Sequence, residues 1–126
     1  MRLLLDTSVV VRTLLEPERL SSSTAAILVD PSHTLVVSVV SAWEIGIKIA
    51  RGKLTLDAGW VHVLREGGNY EMLPVLMEHA LAAPRLPLHY HDPFDRMLIA
   101  QALVEELTLV STDRAFALYN VPLILA

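Results

Sequence analysis

The stretch RLLLDTSVVVRTLL, residues 2–15, decides the fold. Arg2–Leu5 is a continuous apolar run, too short for a helix and without the alternation of a half-exposed strand, so it reads as a strand buried on both faces. An acid, Asp6, ends it. Thr7 to Leu15 then reads as a helix that stops before Pro17. A buried strand leading straight into a helix is the opening of an α/β sheet, and the rest of the chain repeats the unit.

Ser21–Ser23 supply caps for a second helix through Ala25–Val29, and Thr34–Ser38 is a second apolar, β-branched strand. Val39 to Ala50 is of helix length and closes at Gly52, a usual C-terminal stop. Asp57 is expected to cap a helix ending near Gly67–Gly68. Met72–Val75 is expected as a third strand and Glu78–Ala83 as a short helix. Asp92-Pro93 starts a further helix, with Asp at the cap and Pro in the first position. That helix runs from Phe94 to Glu105 and is apolar nearly all round, hence mostly buried. Leu107–Val110 makes a fourth strand, Asp113–Tyr119 a short helix and Pro122–Leu125 an edge strand. Alternating strands and helices imply an α/β fold with a parallel sheet covered on both faces.

The 126 residues are expected to form one domain, residues 1–126. Apolar residues make up 53 % and charged residues 19 %, against a usual ~25 % charged, which suggests that a partner or a second copy covers apolar surface. No apolar run reaches the ~20 residues that span a bilayer. The segment before Asp6 is shorter than the apolar region of a signal peptide, so a cytoplasmic protein is expected. With no cysteine, disulfides and thiolate metal sites are excluded. The net charge of −4 argues against broad binding to polyanions. A nuclease remains compatible, because a metal cluster supplies positive charge where a phosphate sits.

Four acids stand just past apolar runs or at helix starts: Asp6, Glu44, Asp95 and Asp113. Each has a structural explanation. Asp6 and Asp113 are placed to cap helices, and Glu44 has capping-box spacing from Ser41 and ion-pair spacing to Lys48. Asp95 suits the first turn of its helix. Asp6 and Asp113, however, follow strands directly, at the sheet edge where ligands of this architecture bind. Carboxylates gathered there cannot all stay ionised unless a cation compensates them, and an oxygen-only ligand set points to Mg²⁺ or Mn²⁺. Such an ion activates water for attack on a phosphodiester. Thr7, Ser8, Ser111 and Thr112 are hydroxyls able to orient the acids or to serve as turn and cap residues.

The motifs LLDTSVVV, S-x-x-S-x-WEI-x-IK-x-x-x-GKL, HDPFDRMLIAQA and LTLVSTDRAF resemble, in that order, the PIN-domain family, and within it the VapC-like toxins of toxin–antitoxin systems. The resemblance extends over essentially the whole chain, including RLPLHYHDPFDR and the terminal VPLIL. It implies a three-layer α/β/α sandwich with a central parallel sheet of four to five strands, and a Mg²⁺- or Mn²⁺-dependent endoribonuclease. It carries the catalytic and metal-binding roles to Asp6, Glu44, Asp95 and Asp113. It also implies an RNA substrate, a cognate antitoxin partner and a homodimer. Ser8 departs from the His or Asn often found after the DT pair, a change expected to tune substrate contacts.

Asp92 is taken as a helix cap beside the site. Lys48, Arg51 and Lys53 are candidates for steering an RNA phosphate, or a solvated helix end. Arg96 is expected to pair with Asp95 or to reach a phosphate or an antitoxin acid. His89 and His91 are candidates for RNA contact and Tyr90 for stacking a base, unless the loop is simply packed with aromatics. Trp43 is read as a core or dimer contact. A phosphotransfer domain of the dehalogenase or response-regulator kind fits poorly, because Ser8 stands where the first wants a second Asp and the paired acids of the second are missing. The alternative that remains is a catalytically inactive PIN-like scaffold that binds RNA or protein.

Overall fold

A computed structural model describes all 126 residues. Five strands form one sheet: β1 (Arg2–Leu5), β2 (Thr34–Ser38), β3 (Tyr70–Leu73), β4 (Thr108–Ser111) and β5 (Leu123–Leu125). Their order is β3-β2-β1-β4-β5, and every pairing is parallel. The helices are α1 (Thr7–Leu15), α2 (Ser22–Val29), α3 (Val39–Ala50), α4 (Trp60–His62), α5 (Met77–Ala82) and α6 (Pro93–Val104).

The two-residue period of β1 divides the core. Leu4 faces a cluster with Val36, Leu98, Ile99, Leu109 and Phe116, under α6. Leu3 and Leu5 face another with Val9, Val10, Val37, Ile45 and Val110, under α1 and α3. All three leucines are fully buried, each contributing about 1.5–3 kcal/mol of apolar burial. With helices over both faces, the molecule is a three-layer α/β/α sandwich. No helix is long and apolar enough to cross a membrane.

The topology fixes the place of the site. From β1 the chain steps outward to β2 and β3, then returns to place β4 on the other side of β1. The order reverses between β1 and β4, and the crevice outside their carboxyl ends is where such sheets take ligands. Asp6 leaves β1 at that edge, its N–H donating to the Val110 carbonyl at 2.9 Å. Asp113 lies two residues past the end of β4.

Some elements differ from the sequence reading. β3 spans Tyr70–Leu73 rather than Met72–Val75, because Pro74 has no N–H for the ladder and the chain leaves the sheet there. Asp57 caps no helix. Its carboxylate accepts from the Gly59 N–H two residues on, at 2.8 Å, making a local turn. The α-helical part therefore begins at Trp60 and continues as a wider π turn over Val63–Gly67. The segment Arg114–Tyr119 is a 3₁₀ helix, closed by Asn120 in the left-handed conformation.

Candidate active site

Asp6, Glu44, Asp95, Asp113 and Asp92 line one cleft of about 260 Å³ at the switch point, with Lys48 as its one cation. All four acids singled out in the sequence thus meet, although β1, α3, α6 and the end of β4 each bring one.

Asp6 is only 7 % exposed. It stands at the N-terminus of α1, yet its side chain makes no capping bond. Instead its Oδ2 accepts from the Ser111 hydroxyl at 2.5 Å and the Ser8 hydroxyl at 3.2 Å. Burial raises its pKa above the usual value; the two serines pull it down, and Glu44 adds to the rise.

Glu44 belongs to no capping box. Ser38 caps α3 by accepting from the Val40 N–H at 3.0 Å, which puts Ser41 inside the helix, where its hydroxyl pairs with that of Thr7 at 2.8 Å. That buried pair ties α1 to α3 and so sets Glu44 relative to Asp6. The Lys48 ammonium lies 3.3 Å from Glu44 Oε2, while Oε1 is buried with no hydrogen-bond partner. An unpartnered buried carboxylate oxygen costs about 1–3 kcal/mol or more.

Asp95, in the first turn of α6, has its pKa pushed up to about 7 by burial first, then by Asp92, Asp6, Glu44 and Asp113. Asp92 is the cap, accepting from the Phe94 N–H at 2.8 Å, and it lies in the cleft as well. Asp113 also caps: Oδ1 accepts from the Ala115 N–H at 2.9 Å and Oδ2 from the Tyr90 hydroxyl.

The carboxylates share the cleft without closing on one point, and no three of them converge as ligands of a single ion do. The donors nevertheless suit a hard divalent cation: every one is an oxygen, one is buried without a partner, and five acids face one lysine. A positive ion would relieve the unpaired oxygen and the mutual repulsion that raises Asp95.

One residue behaves differently from the sequence reading, and two others settle on one of the alternatives it left open. Arg96 pairs with no acid. It is 9 % exposed, and its guanidinium donates to the carbonyls of Ala83, Leu86, Pro87 and Tyr90 at 2.9–3.1 Å. Burial at the start of α6 turns it inward, where the loop before the helix offers acceptors. Tyr90 does not present a free ring to a base. The ring is stacked on Tyr119 at 5.9 Å and tilted against Phe116 at 5.3 Å, while its hydroxyl reaches Asp113. Trp43 is not core; it is 64 % exposed and packs edge-on against Phe94 at 5.1 Å. His89 packs edge-on against Tyr119 at 5.0 Å, and neither His89 nor His91 lines the cleft. Arg51 and Lys53 join Lys48 in an adjoining groove. The Tyr90–Asp113 bond is the contact of a candidate acid that the sequence reading missed, and no spacing in the sequence signals it.

The PIN-domain family model matches residues 3–121. The chain belongs to the PIN-domain family. No curated protein sequence matches this PIN domain, but solved structures share its fold. They include VapBC2 from Rickettsia felis bound to a DNA fragment from its promoter, with 14 % identity, TM-score 0.75 and 98 % of each chain covered. DNA-bound VapBC from Salmonella typhimurium superposes with TM-score 0.72 at 15 % identity, over 98 % of this chain and 97 % of that one. VapBC-5 from Mycobacterium tuberculosis, of the VapBC family of toxin–antitoxin systems, has TM-score 0.65 at 24 % identity, covering 99 % and 98 %.

Proposed function

We propose that this PIN domain is a Mg²⁺- or Mn²⁺-dependent endoribonuclease, the toxin of a toxin–antitoxin pair, with Asp6, Glu44, Asp95 and Asp113 as its metal-binding and catalytic acids. One observation carries the reading: five acids from four separate parts of the chain line a single cleft at the switch point of the sheet. Two of them cap helices, but one lysine does not compensate five acids, and that much negative charge in one place is costly to a fold.

A divalent ion bound there supplies positive charge for a phosphate and lowers the pKa of water into the neutral range. The chain's own groups have separable tasks. Ser111 and Ser8 hold Asp6 Oδ2 by hydrogen bonds, aiming it and opposing the rise in its pKa that burial causes. Tyr90 and the Ala115 N–H hold the two oxygens of Asp113. Lys48 faces a phosphate from the same side as Glu44. Asp95, with its raised pKa, is suited to carry a proton at neutral pH when the ion is absent and to release it when the ion binds.

The VapBC complexes that share the fold support an antitoxin as the partner, and the exposed apolar residues Val39 and Val61 suit a homodimer in the cytoplasm. The spread of the carboxylates favours the alternative of a binding scaffold, and one experiment separates the two. Purified protein is incubated with total cellular RNA with Mg²⁺, with Mn²⁺ or with EDTA, beside Asp6→Asn. Discrete fragments that need both the metal and Asp6 are expected. Cleavage that persists in Asp6→Asn overturns the site, and no cleavage with either metal favours the scaffold.

A further inference from the structure

A second groove of about 350 Å³ adjoins the cleft and shares Glu44, Lys48 and Asp92 with it. Its other side is Arg51, Lys53 and Phe94. Neither Arg51 nor Lys53 takes part in an ion pair, whereas Lys48 is shared with Glu44. The chain has only 10 Lys and Arg against 14 Asp and Glu, so three cations gathered at the end of one helix are a local reversal of its charge. Against Phe94 stands Trp43, edge-on and largely exposed. Trp43 and Ile47, which lines the groove, lie one turn apart on α3 and hence on one side of it.

Cations at the far end of the helix that carries an exposed indole meet the two needs of an unpaired strand, one for its phosphates and one for a base. A strand that brings a phosphate to the acidic cleft also meets repulsion there, and the neighbouring phosphates need cations at the border. Arg51 and Lys53 are the free ones. A paired base is already stacked in its helix and has no face to offer an indole.

We propose that this groove seats a single-stranded segment of the RNA next to the cut, with Arg51 and Lys53 on its phosphates and Trp43, backed by Phe94, under one base. The proposal rests on the nuclease reading for its substrate, but binding tests it without cleavage. The site distinguishes strandedness and leaves base identity largely unread, because stacking and phosphate contacts are tolerant of sequence.

The test uses EDTA throughout, a short mixed-sequence oligoribonucleotide and the same sequence annealed to its complement. Trp60→Phe leaves Trp43 as the one tryptophan of the two in the chain. Its emission should be quenched by the single strand and not by the duplex. By fluorescence anisotropy, Trp43→Ala should weaken single-strand binding about tenfold. Arg51→Ala with Lys53→Ala should flatten the slope of log affinity against log salt by about 1.4. Arg85→Ala, an exposed cation outside the groove, should change nothing. Unchanged Trp43 emission at saturating strand, wild-type affinity in the groove variants, or no binding of any RNA overturns the proposal. So does a change in particle size by light scattering with RNA affinity intact, which makes the face a contact between copies. Strand binding lost in the groove variants, in a protein that never cleaves, refutes the nuclease and leaves this site standing. Metal-dependent cleavage with groove variants that bind normally does the reverse.

Discussion

Asp95 and Arg96 are neighbours in sequence, and the fold treats their charges in opposite ways. The guanidinium of Arg96 is buried and met by four carbonyls of the 83–90 segment. The carboxylate of Asp95 is turned into a cleft with four other acids, and its pKa rises to about 7. One charge is fully satisfied by the protein itself; the other awaits a counter-charge. The same contrast separates Asp113, with both oxygens engaged, from Glu44, with one oxygen orphaned. Satisfied polar groups hold a fold together, whereas unsatisfied ones are where a ligand enters.

The hardest way to break the contrast is at Glu44. Glu44→Gln is expected to lower metal-dependent cleavage by roughly a hundredfold or more and to weaken Mn²⁺ binding seen by electron paramagnetic resonance. Its melting temperature in EDTA should stay level or rise, since a carboxylate with one buried, unpartnered oxygen among four other acids is removed. A clear fall in stability would place Glu44 with the satisfied groups.

Arg96→Met should do the converse. It leaves four carbonyls without their donor and is expected to cost about 3 kcal/mol in urea unfolding. Any fall in cleavage should follow from loss of folded protein, measured at a temperature where the variant is native. A stable Arg96→Met with selectively lost cleavage would move the arginine to the active side.

Asp95 gives the contrast a pH axis. Its folded pKa is raised above the ordinary 3.8 to about 7, so between those values the folded chain binds more protons than the unfolded one. Stability from this group therefore falls as pH rises from 3.8 towards 7 and levels off above. Asp95→Asn should raise the melting temperature in EDTA more at pH 8 than at pH 5, and Mg²⁺ should narrow the gap. An equal gain at both values would refute uncompensated charge as the cause.

The smallest effect is expected at Tyr90. Tyr90→Phe removes the hydroxyl from Asp113 while the ring keeps its place on Tyr119, at a stability cost of about 1 kcal/mol. Cleavage should fall several-fold through weaker Mn²⁺ binding. Unchanged Mn²⁺ affinity would show that Asp113 is held well enough by the Ala115 N–H alone.

Local chemistry made much of this protein legible. A run such as Leu3–Leu5 has no polar side to turn to water, so it had to be an inner strand, and Asp92-Pro93 had to start a helix. β3 was read two residues late because the apolar signal of Met72–Val75 carried past Pro74, whose missing N–H ends the ladder. Asp57 was read as a cap because the same side chain serves caps and turns alike. Arg96 was misplaced, and Tyr90 and Trp43 were left between two alternatives, for one reason: an amphipathic side chain can turn inward or outward, and its own segment does not choose.

The sequence by itself determined the sheet, the family and the identity of the acids, because strand burial and helix starts depend on neighbours a few residues away. Only the tertiary structure decided which charges are satisfied. Ser111 reaches Asp6 across 105 residues and Tyr90 reaches Asp113 across 23. A hydrogen bond needs its partners within about 3 Å, and over such separations it is the packing of whole elements that brings them there.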